Sequence, residues 1–83
     1  MTRKPSPRQV EVLRHLAAGY SQEATAAKLK ITVGTLKSYT VEARMRLDVA
    51  TNDDAIRALR RTGRITDAEI DGLSQASRRK PKR

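Results

Sequence analysis

Apolar residues recur along this chain three and four positions apart, and each such cluster lies between a helix start and a helix stop. Ser6 supplies an N-cap oxygen, Pro7 stands where its missing N–H costs nothing, and Gln9 completes an S-x-x-Q capping box. In the helix that follows, Val12, Leu13, Leu16 and Ala17 fall on one face, while Arg14 and His15 point away from it. Gly19 is the expected left-handed stop. Ser21 caps a second helix over 22–29 with Thr25, Ala26 and Leu29 inward, and Ile31 plugs the tight connection after it.

Thr32 then caps a third helix, predicted over 33–47. Leu36, Thr40, Ala43 and Leu47 form its inner stripe, leaving Gly34, Lys37, Ser38, Val41, Glu42 and Met45 outward. Val49 is the buried element of the next connection. A fourth helix begins at Thr51 or Asn52, with Asp53 and Asp54 at its positive end, and stops at Gly63. Its inward residues are Ala55, Ile56 and Leu59; Arg57, Arg60 and Arg61 point out, and Ile65 is a further core plug. Thr66-Asp67-Ala68-Glu69 is a second capping box, predicting a short helix through about Leu73 within a segment spanning 66–76.

The pattern is thus all-α, four helices and a short fifth, with no strand. Eighty-three residues hold one small domain. The expected divisions are a flexible basic lead-in (1–5), a helical domain (6–65), the short helix (66–76) and a disordered basic tail (77–83). A core of this size buries only about 60% of the surface its unfolded chain exposes, so stability is expected to be marginal. With no cysteine, neither a disulfide nor a thiolate zinc site can staple it. The apolar runs are too short for a membrane span or a signal-peptide core.

Charge sharpens the picture. Eighteen Lys and Arg against nine Asp and Glu give +9, as expected of a polyanion binder. Five of those cations (Arg78, Arg79, Lys80, Lys82, Arg83) sit in the last six residues, so the folded part is only mildly basic and the tail suits weak phosphate contact. Helix, Gly stop, Ser start, short helix, turn, and a helix opening on small polar residues and a lysine is the layout of a helix-turn-helix, whose second helix can lie in the DNA major groove.

Several segments in order resemble the DNA-binding domain of LuxR/GerE-type transcription regulators, from about Ser6 to Ile65. Ser-Pro-Arg-Gln-Val-Glu-Val-Leu (6–13) is similar to the family's opening T-P-R-E-x-E-V-L, and Ala18-Gly19-Tyr20-Ser21 stands at its first helix end. Ile31-Thr32-Val33-Gly34-Thr35-Leu36-Lys37-Ser38 resembles I-S-x-x-T-V-K-x. Leu47-Asp48-Val49-Ala50-Thr51-Asn52 sits at L-G-V-x-N-R, with Ala55-Ile56 at its A-V. Departures are Thr25 and Ala43 where Ile is usual, Tyr39 for a frequent His, and Asn52 for Arg; the last predicts that an ion pair from that position to Glu11 is missing. Residues 33–38 and 43–47 also resemble region 4 of extracytoplasmic-type sigma factors, but the segment 49–65 follows the LuxR-type fourth helix.

The resemblance implies a DNA-binding transcription regulator of cytoplasmic, bacterial or phage-encoded, nucleoid-associated type. Lys37 matches a position the family uses for DNA contact, and Ser38 and Val41 match positions facing base edges. Their chemistry fits: Lys37 can reach guanine O6/N7 or a phosphate, Ser38 either base type, and Val41 a thymine methyl. Gly34 permits close approach. Phosphate contacts are expected from Thr35, Tyr39, Arg44, Arg46 and Gln22. Glu42 is expected to pair with Arg46 one turn on.

The implied partner is double-stranded DNA, with a homodimer through Arg57, Ala58 and Arg61 of the fourth helix, and contact with RNA polymerase as a further partner. Asp67, Glu69 and Asp71 can pair with the arginines of helix four, folding helix five back on it to modulate dimerisation. The other reading is a sigma-region-4-like or polymerase-binding interaction module. Catalysis lacks the inventory: His15, the one histidine, is expected on the exposed side of helix one, and Asp53-Asp54 are dipole partners rather than an acid/base couple. No P-loop, dinucleotide fingerprint or metal cluster is present, so no cofactor, metal or membrane association is expected.

Overall fold

Polar caps set where each helix begins. A computed structural model describes residues 4–78, among which there are five helices and no strand. They are α1 (Pro7–Ala17), α2 (Gln22–Leu29), α3 (Val33–Leu47), α4 (Asn52–Arg61) and α5 (Asp67–Arg78). Ser6, Ser21, Thr32 and Thr51 cap the first four, each side-chain oxygen accepting the N–H of the third residue on. The Ser6–Gln9 box closes in both directions, as does that of Thr66 and Glu69. Gly19 ends the first unit at φ +100°, a left-handed conformation costly for a side chain bearing a Cβ.

α1 is the axis of the molecule and packs against all four other helices. It separates two apolar clusters. One joins Val10 and Leu13 to Ala43, Ala55, Leu59 and Ile65, with Leu47, Val49, Ile56 and Ile70 half-buried around it. The other joins Val12 to Ala26, Leu29 and Leu36, flanked by Ile31, Val33 and Tyr39. Leu16 touches both. Leu13, Leu36 and Leu59 are fully buried, each worth roughly 2 kcal/mol by transfer from water.

Because α1 is covered on several sides, its burial exceeds a single stripe. Val10 is in the core, and His15, expected on the surface, is buried. Its Nδ1–H donates to the Glu11 carbonyl at 2.8 Å and its ring meets Tyr20 edge-on at 5.2 Å. Arg14 is half-buried, with Nε 3.3 Å from a Glu69 oxygen in an ion pair not aligned for a hydrogen bond.

Two further expectations need correction. α5 runs on to Arg78, beyond Leu73 and the predicted limit of 76. It also docks on α1 rather than folding back on α4, while Asp67 reaches across to Arg60. Of the tail predicted over 77–83, residues 79–83 lie outside the described residues, as do residues 1–3 of the predicted lead-in; Pro5, expected in that flexible stretch, is buried.

Candidate nucleic-acid interface

The turn between α2 and α3 decides how α3 is presented. α2 ends with Lys30 in the left-handed region at φ 59°, whose N–H returns to the Ala26 and Ala27 carbonyls; Ile31 then bonds back to Ala26 at 2.9 Å. Arg8, from the first turn of α1, donates to the Leu29 carbonyl at 3.0 Å while pairing with Glu11. This tie closes the exposed end of α2 onto α1. Two residues after Lys30, Thr32 starts α3.

α3 divides cleanly into two faces. Leu36, Thr40 and Ala43 are buried, with Leu47 half-buried beside them. Thr40 returns its hydroxyl to the Lys37 carbonyl at 2.8 Å, so its polarity is satisfied within the helix. Gly34, Lys37, Ser38, Val41, Glu42 and Met45 are all exposed, as the spacing predicts. Val41 is 44% and Met45 74% exposed, the large apolar side chains that α3 offers to solvent. From Gly34 the strip climbs in steps of three or four residues, through Lys37 and Ser38, then Val41 and Glu42, to Met45, so it forms a continuous ridge along the helix.

The leading end of the ridge is open. A Cβ placed on Gly34 meets only Thr32 Oγ1, at 3.8 Å, so nothing inside the fold demands glycine there. Thr35 is exposed, its Oγ1 accepting from Thr32 Oγ1 at 3.0 Å. Among the described residues no carboxylate pairs with Lys37, whereas Arg8, Arg14, Arg46, Arg57 and Arg60 each have an acidic partner.

The remaining candidates divide by position. Tyr39 is half-buried against the second cluster, at the border of core and ridge. Gln22 is half-buried at the first position of α2. Arg44 and Arg46 leave α3 on opposite flanks, about 200° apart around its axis. Arg44 donates to Asn52 Oδ1 at the start of α4. Arg46 holds Glu42 at 3.1 Å, the pairing predicted, and also reaches the Lys4 carbonyl at 3.3 Å. Arg57 and Arg61 are exposed on α4 and Ala58 is half-buried, away from the α3 ridge; Arg57 pairs with Asp54 at 3.4 Å.

Asn52 therefore leaves Glu11 to Arg8 and takes Arg44 in its place. Sequence reasoning missed Gln9 as a structural link: buried, it donates from Nε2 to Glu42 Oε1 at 3.0 Å, tying the cap of α1 to α3 across 33 residues. The polar residue within an apolar stretch was the one available signal.

A short helix, a left-handed turn and a second helix with one face buried and the other open to solvent define a helix-turn-helix. The chain belongs to the family described as bacterial regulatory proteins, luxR family, whose pattern matches residues 6–59, from the cap of α1 to Leu59 in α4. The match reaches through most of α4, within the segment on which the LuxR and sigma resemblances part. Domains of this family bind DNA in transcription regulation rather than catalyse reactions. Neither a curated protein nor a solved structure matches the chain. No helix among the described residues is long and apolar enough to cross a membrane.

Proposed function

We propose that this protein is a sequence-specific, double-stranded-DNA-binding transcriptional regulator that lays α3 in the major groove. One observation carries the reading: the ridge of Gly34, Lys37, Ser38 and Val41 is exposed along a helix whose opposite face is wholly committed to the core. Lys37 donates to guanine or a phosphate, Ser38 to a base edge, and Val41 packs on a thymine methyl. Gly34 lets the helix start approach the duplex closely, where free N–H groups and the hydroxyl of Thr35 face a phosphate. Tyr39, Arg44 and Arg46 on the flanks of α3, and Gln22 at the start of α2, serve the backbone. The ridge has no bidentate Asn, Gln or Arg, so direct readout is modest and Lys37 dominates it.

The test is a titration of duplexes selected from a random pool, followed by fluorescence anisotropy across a salt series. About six neutralised phosphates give a log–log slope near −5, each contributing roughly −0.9. Lys37→Ala is expected to cost about 1–3 kcal/mol of specific binding. A flat salt dependence together with an unaffected Lys37→Ala variant would leave only a protein-interaction role.

A further inference from the structure

Two arginines far apart in sequence hold the same short stretch of backbone. Arg46 of α3 donates to the Lys4 carbonyl at 3.3 Å, and Arg64, just after α4, donates to the Pro5 carbonyl at 3.2 Å. Pro5 is buried between them, and the next residue, Ser6, is fixed by the capping box. The residues leading into α1 are therefore fastened along the flank of α3, against the Glu42–Arg46 pair. Glu42 stands one helical turn beyond Ser38, so this flank borders the exposed ridge directly.

The charges there are arranged unevenly. A lone Glu42 carboxylate beside the ridge opposes a polyanion, but Arg46 and the Gln9 amide both bind it. The Lys4 side chain is exposed, and among the described residues no carboxylate pairs with it. A major groove about 12 Å wide places a phosphate strand along each side of an inserted helix. Arg44 lies on the other flank, so a cation on the Lys4 side gives each strand its own contact.

We propose that Lys4 is a DNA-contacting residue: the lead-in forms a short arm, clamped by Arg46 and Arg64, that delivers the Lys4 ammonium to the phosphate backbone bordering the α3 groove. This rests on the reading of α3 as the groove helix. Lys4 neutralises a phosphate and reads no base, so it acts on affinity and salt dependence without altering sequence preference. Arg64 acts through Lys4 as a positioning residue.

Binding of the full chain to a selected duplex across a salt series tests this, with Lys37→Ala as reference. Lys4→Ala is expected to weaken binding several-fold, flatten the log–log slope by about 0.9, and leave discrimination between duplexes and the urea midpoint unchanged. In a double-mutant cycle, the Lys4→Ala effect should shrink in an Arg64→Met background, because the arm is already released. A Lys4→Ala slope equal to the parent's, while Lys37→Ala loses affinity, overturns the arm and leaves the groove helix standing. Additive effects of Lys4→Ala and Arg64→Met overturn the clamp. Absence of salt-dependent duplex binding by the parent overturns both the arm and the reading beneath it.

Discussion

Thr25 occupies a place of complete burial on α2, and its hydroxyl has no hydrogen-bond partner among the described residues. A hydroxyl removed from water without compensation is destabilising by roughly 1–3 kcal/mol. Valine has nearly the same shape and no such group. Thr25→Val is therefore expected to raise stability by about 1 kcal/mol, seen as a higher urea midpoint with an unchanged slope; a lower midpoint would mean that the hydroxyl has a partner in solution. Lys30 poses a backbone version of the same problem. At φ 59° it carries a Cβ in a conformation that glycine adopts freely, and its side chain is exposed. Lys30→Gly is expected to gain up to about 1 kcal/mol by relieving that strain, measured the same way. A loss instead would show that the Lys30 side chain contributes more than its backbone strain costs. Both positions were readable only in part: the polar residue at an inward position and the non-glycine at a turn are visible in the sequence, but burial and φ are not.

Helix starts were legible because a cap needs only a hydroxyl at one position and a free N–H three residues on, and both lie within one turn. The inner stripe of α3 was legible because that helix has one buried side. α1 defeated the same reasoning: with partners on several sides, its buried positions do not form one stripe, so Val10 was left out of the expected face and His15 was placed on the wrong side. The end of α5 escaped for the opposite reason, since beyond Leu73 no apolar period continues to mark it. Its docking also involves Glu69, whose carboxylate accepts the Thr66 N–H and lies beside Arg14 of α1, far away in sequence. The Thr66 backbone N–H, and after it the Arg14 charge, hold the Glu69 carboxyl below its ordinary value of 4.5. A lowered folded value means that the stabilisation is complete above the unfolded value and is lost as pH falls through the folded one. α5 is thus expected to loosen from α1 only below about pH 4.5. Amide exchange or chemical shifts around Ile70 would follow it, and Glu69→Gln should abolish the pH dependence in that window. Persistence of the transition in Glu69→Gln would assign it to another carboxylate.

The distribution of charge over the molecule bears on how two copies can meet. α4 presents Arg57 and Arg61 to solvent on either side of the half-buried Ala58, and Arg57 is only partly offset by Asp54 at 3.4 Å. A two-fold contact through this face brings those cations toward their symmetry mates. Two unit charges about 8 Å apart in water repel by roughly 0.5 kcal/mol, so four such pairs cost about 2 kcal/mol at low salt. That is a factor of about 30 in a dissociation constant. α5 does little to relieve it, because Glu69 is engaged by Arg14 on α1 and Asp67 by Arg60. The free protein is accordingly expected to sediment as a monomer at low salt and to pair on duplexes carrying two half-sites about one helical turn apart, where phosphates absorb the charge. Replacing both arginines, Arg57→Gln with Arg61→Gln, should strengthen self-association in the absence of DNA. Sedimentation equilibrium at low and high salt separates the outcomes. A parent chain already dimeric at micromolar concentration, with no response to salt or to the double substitution, would place the dimer contact on a face other than that of α4.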